Sequence, residues 1–292
     1  MKCCLACECC FEGETWDCPR CGNRPTFRDR LLHFVEDPPI AGGGFKPEYF
    51  AQLAGFEEDN FWFRARNRLL QWAVQYYFPE ARTFFEIGCG TGFVLKGLHE
   101  TMPFLRMAGS EIFASGLQFA QERLPGVDLY QMDARHIPFE NEFDIIGAFD
   151  VVEHIAEDEA VFRQMFRATR PGGGILITVP QHPFLWSASD EHSMHQRRYR
   201  RNELRKKVTR AGFHVERITS FVALLLPLMI FSRLTRKSGR AFNLWEEFEL
   251  SRPLNAAFEA ILAAERALIK AGLSFPAGGS LLLVGRKPAA AL

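Results

Sequence analysis

Residues 84–93 read Phe-Phe-Glu-Ile-Gly-Cys-Gly-Thr-Gly-Phe, and this stretch decides the fold. A short apolar run leads straight into Gly88-x-Gly90-x-Gly92, and a helix-like stretch follows. Strand, glycine turn and helix in that order let bare backbone approach a nucleotide-type ligand. Glu86 lies inside the apolar run, where a carboxylate suits a ligand carrying a positive ammonium group better than one presenting a pyrophosphate. A dinucleotide fingerprint would also want its third glycine where Phe93 stands.

Working outward, residues 83–180 alternate between strand and helix patterns. Strands are predicted near 83–87, 106–110, 127–132, 143–149 and 174–180, and helices near 92–101, 113–124 and 156–169. This alternation implies a parallel sheet with right-handed crossovers. A helix from Asn202 to Gly212, a strand from Phe213 to Ser220 and a last strand from Ser280 to Arg286 follow. Open α/β sheets bind ligands at the carboxyl ends of their strands, where Glu111 ends the second strand and Asp133-Ala134 the third. An acid at Glu111 can accept from two ribose hydroxyls, and Asp133 can accept an adenine amino group. FDIIGAFDVVEHI (143–155) then forms the floor beneath the reacting group.

FFEIGCGTG, FDIIGAFDVVEHI and RPGGGILITVP (170–180) resemble the motifs of class I S-adenosylmethionine (SAM)-dependent methyltransferases, over about residues 80–220 plus the last strand. The resemblance implies a Rossmann-like α/β sheet of seven strands, the last antiparallel. It also implies that SAM is held by Glu86, Gly88, Gly90, Gly92, Glu111, Asp133 and Ala134, with Ile112 and Phe149 beside them. The domain plan expected is a Cys-rich head (1–30), a linker and aromatic-rich helices (31–80), the SAM-binding core (81–220), an apolar and basic helical insertion (221–279) and the final strand with its tail (280–292).

Seven of the 8 cysteines fall in the first 21 residues. Such crowding is not a disulfide framework for a chain of this size. Without a secretory signal at the start, it points to a metal in a reducing compartment. Cys4-x-x-Cys7 and Cys18-x-x-Cys21 supply four thiolates for tetrahedral zinc, and Cys7-x-x-Cys10 competes as the first pair. The head is read either as a structural clasp or as a zinc ribbon that docks a protein partner. A formal net charge of +0 gives no electrostatic reason to expect nucleic acid. Asn60 or Asp59 can cap a helix over 61–78, in which Trp62, Leu69, Ala73 and Tyr76 share a face.

Displacement at a sulfonium needs alignment and, for a hydroxyl acceptor, a general base. The candidates are His154, His195 and Asp190, with His192 nearby. The stretch His195-Gln196-Arg197-Arg198-Tyr199 resembles one seen in small-molecule and lipid-quinone O-methyltransferases. Asp150-x-x-Glu153-His154 resembles the ExxEH metal site of some relatives, but Asp150 is a shorter carboxylate and no catalytic divalent metal is expected. FVALLLPLMIF (221–231) is too short to cross a bilayer. With Arg233, Arg236, Lys237 and Arg240 it reads as a membrane-surface segment within 221–240 or as a cap over the site. The expectation is a cytoplasmic, peripherally membrane-associated enzyme acting on an apolar small molecule. The alternatives are an acceptor protein or RNA presented through the head, or a non-catalytic SAM-binding scaffold.

Overall fold

The computed structural model describes residues 1–36, 46–235 and 249–289. Most of the expected linker at 37–46, and Arg236, Lys237 and Arg240, lie outside the described residues. The central sheet is built from β5 (Thr83–Ile87), β6 (Arg106–Glu111), β7 (Asp128–Gln131), β8 (Phe143–Phe149), β9 (Thr169–Pro180), β10 (His214–Phe221) and β11 (Ser280–Arg286). Their order is β10-β11-β9-β8-β5-β6-β7, and β11 runs antiparallel to both neighbours. This is the class I methyltransferase arrangement.

All five residues of β5 are buried, as a strand covered on both faces requires. Phe84 belongs to a core shared with α2 (Phe61–Tyr77), α3 (Phe93–Thr101), α4 (Ala114–Arg123) and α9 (Arg252–Lys270). Phe85 and Ile87 belong to the opposite core, with α5 (Asp158–Ala168) and α7 (Arg201–Arg210). Asn60 caps α2 by accepting from the Trp62 amide at 2.9 Å. Within α2 the predicted face holds at Leu69 and Ala73 but not at Tyr76, which is 62% exposed and stacks on Trp72 instead.

Among the described residues the head adds two strands to the edge of the seven-stranded core sheet. β1 (Lys2–Cys3) and β2 (Cys10–Phe11) form a small ladder of their own. β3 (Thr26–Arg28) and β4 (Leu31–His33) form a hairpin whose turn residues, Asp29 and Arg30, both have positive φ. β4 then adds parallel to β7, pairing Leu32 with Tyr130 and His33 with Gln131. Trp16 packs edge-on against Phe34, Tyr130 and Phe139 at centroid distances of 4.7, 6.1 and 5.5 Å. The head thus caps the sheet edge that β7 would otherwise leave open. The expected boundary at residue 30 lies in the turn of this hairpin.

The described residues of the insertion include α8 (Leu226–Thr235) and α9. Pro227 stands at the second position of α8, where its missing N–H costs no helical bond. The fully buried Glu265 of α9 accepts the amides of Ala223 and Leu224 at 2.7 and 2.8 Å and fixes the entry to α8.

Candidate active site

A cavity of about 1010 Å³ opens at the carboxyl ends of β5, β6, β7 and β8. At its floor, Gly88 has φ +65°, and a Cβ there would stand 2.5 Å from Val151 Cγ2. Only glycine therefore fits between this turn and the exit of β8. Glu86, Gly88, Gly90, Glu111, Ile112, Asp133, Ala134 and Phe149 all line the cavity. Gly92 does not. It initiates α3 with φ +77°, and a Cβ on it would meet Ala120 of α4 at 3.0 Å, so it serves helix packing.

Glu86 is 2% exposed, and its Oε2 has no hydrogen-bond partner within the protein. Burial, opposed by the charge of Arg66, raises its pKa well above the usual carboxylate range. A cationic ammonium would lower it again. Glu111 Oε1 accepts the amides of Ile112 and Phe113 at 2.8 and 3.3 Å, and Oε2 accepts Gly90 at 3.3 Å. Burial still raises its pKa overall. Asp133 is engaged more fully than its sequence position implies: Arg135 donates Nε to both its oxygens and Nη2 to Oδ2.

Two ties across this end are not legible in the sequence. Thr91 donates to Glu57 at 2.7 Å, and Arg123 donates to Glu57 at 2.6 Å, fastening α1 (Tyr49–Phe56) and its exit to the glycine turn. Arg66 of α2 lies over the Trp62 ring and pairs with Asp150, a positive-φ residue just past β8. Each joins residues from different elements, and no local pattern announces them.

The other end of the cavity is formed by a 3-10 turn at Val152–His154 and the segment around α6 (Ala188–His192). His195 Nδ1 lies 2.9 Å from Asp190 Oδ1, and Arg198 Nε donates to the same oxygen at 2.6 Å. Burial pushes the Asp190 carboxyl up, but the bonds from His195 and Arg198 more than offset it and hold it at about 2. An ionised carboxylate only accepts, so Nδ1 carries a proton towards it, and in the neutral ring Nε2 is the acceptor. His195 lines the cavity, whereas Asp190 is fully buried behind it and does not. Asp190 thus has no face on the cavity and reaches His195 from behind. His192 Nδ1 meets the Ala188 carbonyl at 3.2 Å and is also absent from the lining.

His154 meets His195 edge-on, with centroids 4.7 Å apart. Burial, helped by His195, drives the His154 pKa down to about 3, so its ring is neutral. Glu153 is fully buried with neither oxygen hydrogen-bonded, and burial raises its pKa well above the usual range. Ligand atoms of Glu153, His154 and His195 lie within 4.8 Å of one another, close enough to share a cation. Asp150 is turned away to Arg66 and Thr178. Trp62, Val222, Leu225, Leu228, Met229 and Phe258 give the cavity a continuous apolar wall.

In the head, the sulfurs of Cys4, Cys7, Cys18 and Cys21 gather within 4.8 Å. Cys4 and Cys21 are 3.6 Å apart, as are Cys7 and Cys18. That is close to the tetrahedral edge of about 3.8 Å expected from zinc–sulfur bonds of about 2.3 Å, so this set could hold zinc. Cys10 does not compete, because it is disulfide-bonded to Cys3. The crowded cysteines thus include one disulfide beside the four-sulfur set.

The fold is that of class I SAM-dependent methyltransferases, and the head gathers a zinc-ribbon-like set of four cysteines. Residues 85–177 match the family model described as a methyltransferase domain. It is 26% identical over 167 residues to a Mycolicibacterium smegmatis protein named "Probable S-adenosylmethionine-dependent methyltransferase", covering 56% of this chain and 63% of the relative. It is 30% identical over 96 residues to the phthiotriol/phenolphthiotriol dimycocerosates methyltransferase 1 of Mycobacterium ulcerans, covering 32% and 35%. The chain thus spans less than two thirds of the length of these curated relatives. Among solved structures, it is similar in fold to a chain of the complex between the Haloferax volcanii Trm112 methyltransferase activator and a methyltransferase. That match has a TM-score of 0.56 and 20% identity, covering 83% of this chain and 97% of that one.

Proposed function

We propose that this protein transfers the methyl group of SAM to a hydroxyl of an apolar, membrane-associated small molecule. The observation that carries the proposal is the composition of one cavity: an acid-lined glycine turn at one end, and at the other an apolar wall beside an imidazole aimed by a buried carboxylate. Glu86 would meet the donor's ammonium, Glu111 its ribose, and Asp133 with Ala134 its adenine edge, while Ile112 and Phe149 flank it. Bound SAM supplies an electrophilic methyl on a cationic sulfonium. His195 Nε2 accepts the acceptor's hydroxyl proton, and Asp190 stabilises the imidazolium that results. Burial disfavours the charged forms of Glu153 and His154, which limits competing charge near the sulfonium, and no divalent ion is invoked. The apolar wall excludes water and receives the body of the acceptor.

The relative named for dimycocerosates supports a lipid-type acceptor. No helix among the described residues is long and apolar enough to cross a membrane. We place the protein in the cytoplasm, with α8 touching a membrane surface and the head holding structural zinc. A second reading is an acceptor protein or RNA docked through the head; the fold neighbour solved with an activator protein supports a protein partner for such a fold, and the four-cysteine set is where the acceptor would dock.

The test is transfer of labelled methyl from SAM into cell extract, followed by partition. Label in the organic phase supports the proposal. Label on protein installs the second reading, and absence of transfer despite SAM binding leaves a non-catalytic scaffold.

A further inference from the structure

We propose that Cys3 and Cys10 are a reversible dithiol–disulfide site that controls how tightly the neighbouring four-cysteine site holds its metal. The two residues are direct cross-strand partners in the β1–β2 ladder and are joined as a disulfide. The ring they close spans residues 3–10 and contains Cys4 and Cys7, half of the four-sulfur set. Cys3 adjoins Cys4, and Cys10 lies three residues beyond Cys7. When reduced, both offer sulfurs that can compete with Cys4 and Cys7 for the metal. When oxidised, they cannot, and the first knuckle is confined to a short loop.

The two cysteines also belong to differently anchored strands. β1 is fixed to the core: the Cys3 amide donates to the Pro138 carbonyl at 2.9 Å, and the terminal ammonium reaches Glu142 at 2.6 Å. Among the described residues β2 pairs only with β1. The Cys10 sulfur sits between Glu140 Oε2 at 3.0 Å and Arg167 Nη2 at 3.1 Å. The disulfide therefore fastens the head's second strand to the strand that the core holds.

Cys3 is 2% exposed and Cys10 is half-buried, so exchange enters at Cys10. In the oxidation step, the Cys10 sulfur attacks a low-molecular-weight disulfide such as oxidised glutathione and releases one thiol. The Cys3 sulfur then displaces the second thiol and closes the intramolecular bond. Two protons and two electrons pass to the small disulfide, which leaves as two thiols, and an excess of the thiol reverses both steps.

The test uses the full zinc-loaded chain, with metal content measured first, poised in reduced or oxidised glutathione. Peptide mapping should find Cys3 linked to Cys10 in the oxidised sample with zinc still bound. Zinc transfer to a chromogenic chelator should be slower in the oxidised form by about fivefold or more, as expected when a short loop is closed around two ligands. C10S and C3S should each transfer zinc at a rate that no longer depends on the glutathione poise. A zinc-loaded chain without the Cys3–Cys10 link, equal transfer rates in the two forms, or a chain that binds no zinc overturns the proposal.

Discussion

Asp190 Oδ1 lies 2.9 Å from His195 Nδ1, and the carboxylate is fully buried while the imidazole faces the cavity. This division of labour gives the two residues different phenotypes. Replacing His195 with Ala removes the proton acceptor and should lower methyl transfer by about 10²- to 10⁴-fold. Asp190→Asn keeps the shape but no longer imposes one tautomer, so it should also lower turnover. Both should leave calorimetric SAM affinity within about twofold, because neither residue is at the donor end. A His195→Ala protein with near-normal turnover would remove this histidine from the mechanism.

Acid stability should report the burial of His154. Its folded pKa is about 3, against 6.5 unfolded, so between these values the unfolded chain binds the extra proton. Stability is then lost as pH falls from about 6.5 towards 3. Between pH 7 and pH 5 this one group should cost about 2 kcal/mol, at about 1.4 kcal/mol per pH unit below 6.5. His154→Asn should flatten that part of the profile, measured by urea unfolding at each pH. Asp190 acts lower: its stabilisation is present above the unfolded value near 3.8 and disappears as pH falls through about 2.

Glu153→Gln separates an uncharged acid from a metal ligand. Burial raises this carboxyl's pKa well above the usual range and so disfavours its charged form, and glutamine is its neutral near-isostere. The variant should retain methyl transfer within about threefold and unfold no more easily at pH 8, since it removes an acid whose ionisation is disfavoured. Loss of activity together with restoration of the wild type by a divalent ion after chelation would instead assign a cation to Glu153, His154 and His195.

At the donor end, Glu111→Gln should weaken SAM binding by about 1–3 kcal/mol, the usual effect of losing a charged hydrogen-bonding partner. Gly88→Ala should be more severe, since the new Cβ would meet Val151 Cγ2 at 2.5 Å in a left-handed backbone. Calorimetric titration with SAM checks both. Unchanged affinity in Glu111→Gln would place the ribose elsewhere.

Much of this donor end was legible in the sequence because each part is local. A glycine turn after a strand, and acids at successive strand ends, follow from spacing alone, and β5, β8 and β11 begin and end where the pattern places them. What was not legible depends on distant segments meeting. Asp190 reads as a possible base until α6 buries it behind His195, and Gly92 reads as part of the cradle until α4 packs against it. The cysteine spacing offers Cys7-x-x-Cys10 equally well, and only the register of β1 with β2 assigns Cys10 to Cys3. That the head completes the sheet edge depends on β4 meeting β7, which no local signal reveals.

The exposed side chains of α8 provide the last test. Leu224, just before the helix, is 45% exposed, and Phe231 within it is 63% exposed. Inserting such side chains among acyl chains should be worth about 1.5–3 kcal/mol each, and basic neighbours would strengthen it on anionic lipid. The wild type should float with vesicles of mixed phosphatidylcholine and phosphatidylserine. Leu224→Asp/Phe231→Asp should remain in the lower fraction, with SAM affinity unchanged because neither residue lies at the glycine turn. If both proteins sediment alike while the organic-phase label persists, the acceptor reaches the cavity from solution, and α8 serves as a wall of that cavity rather than a membrane contact.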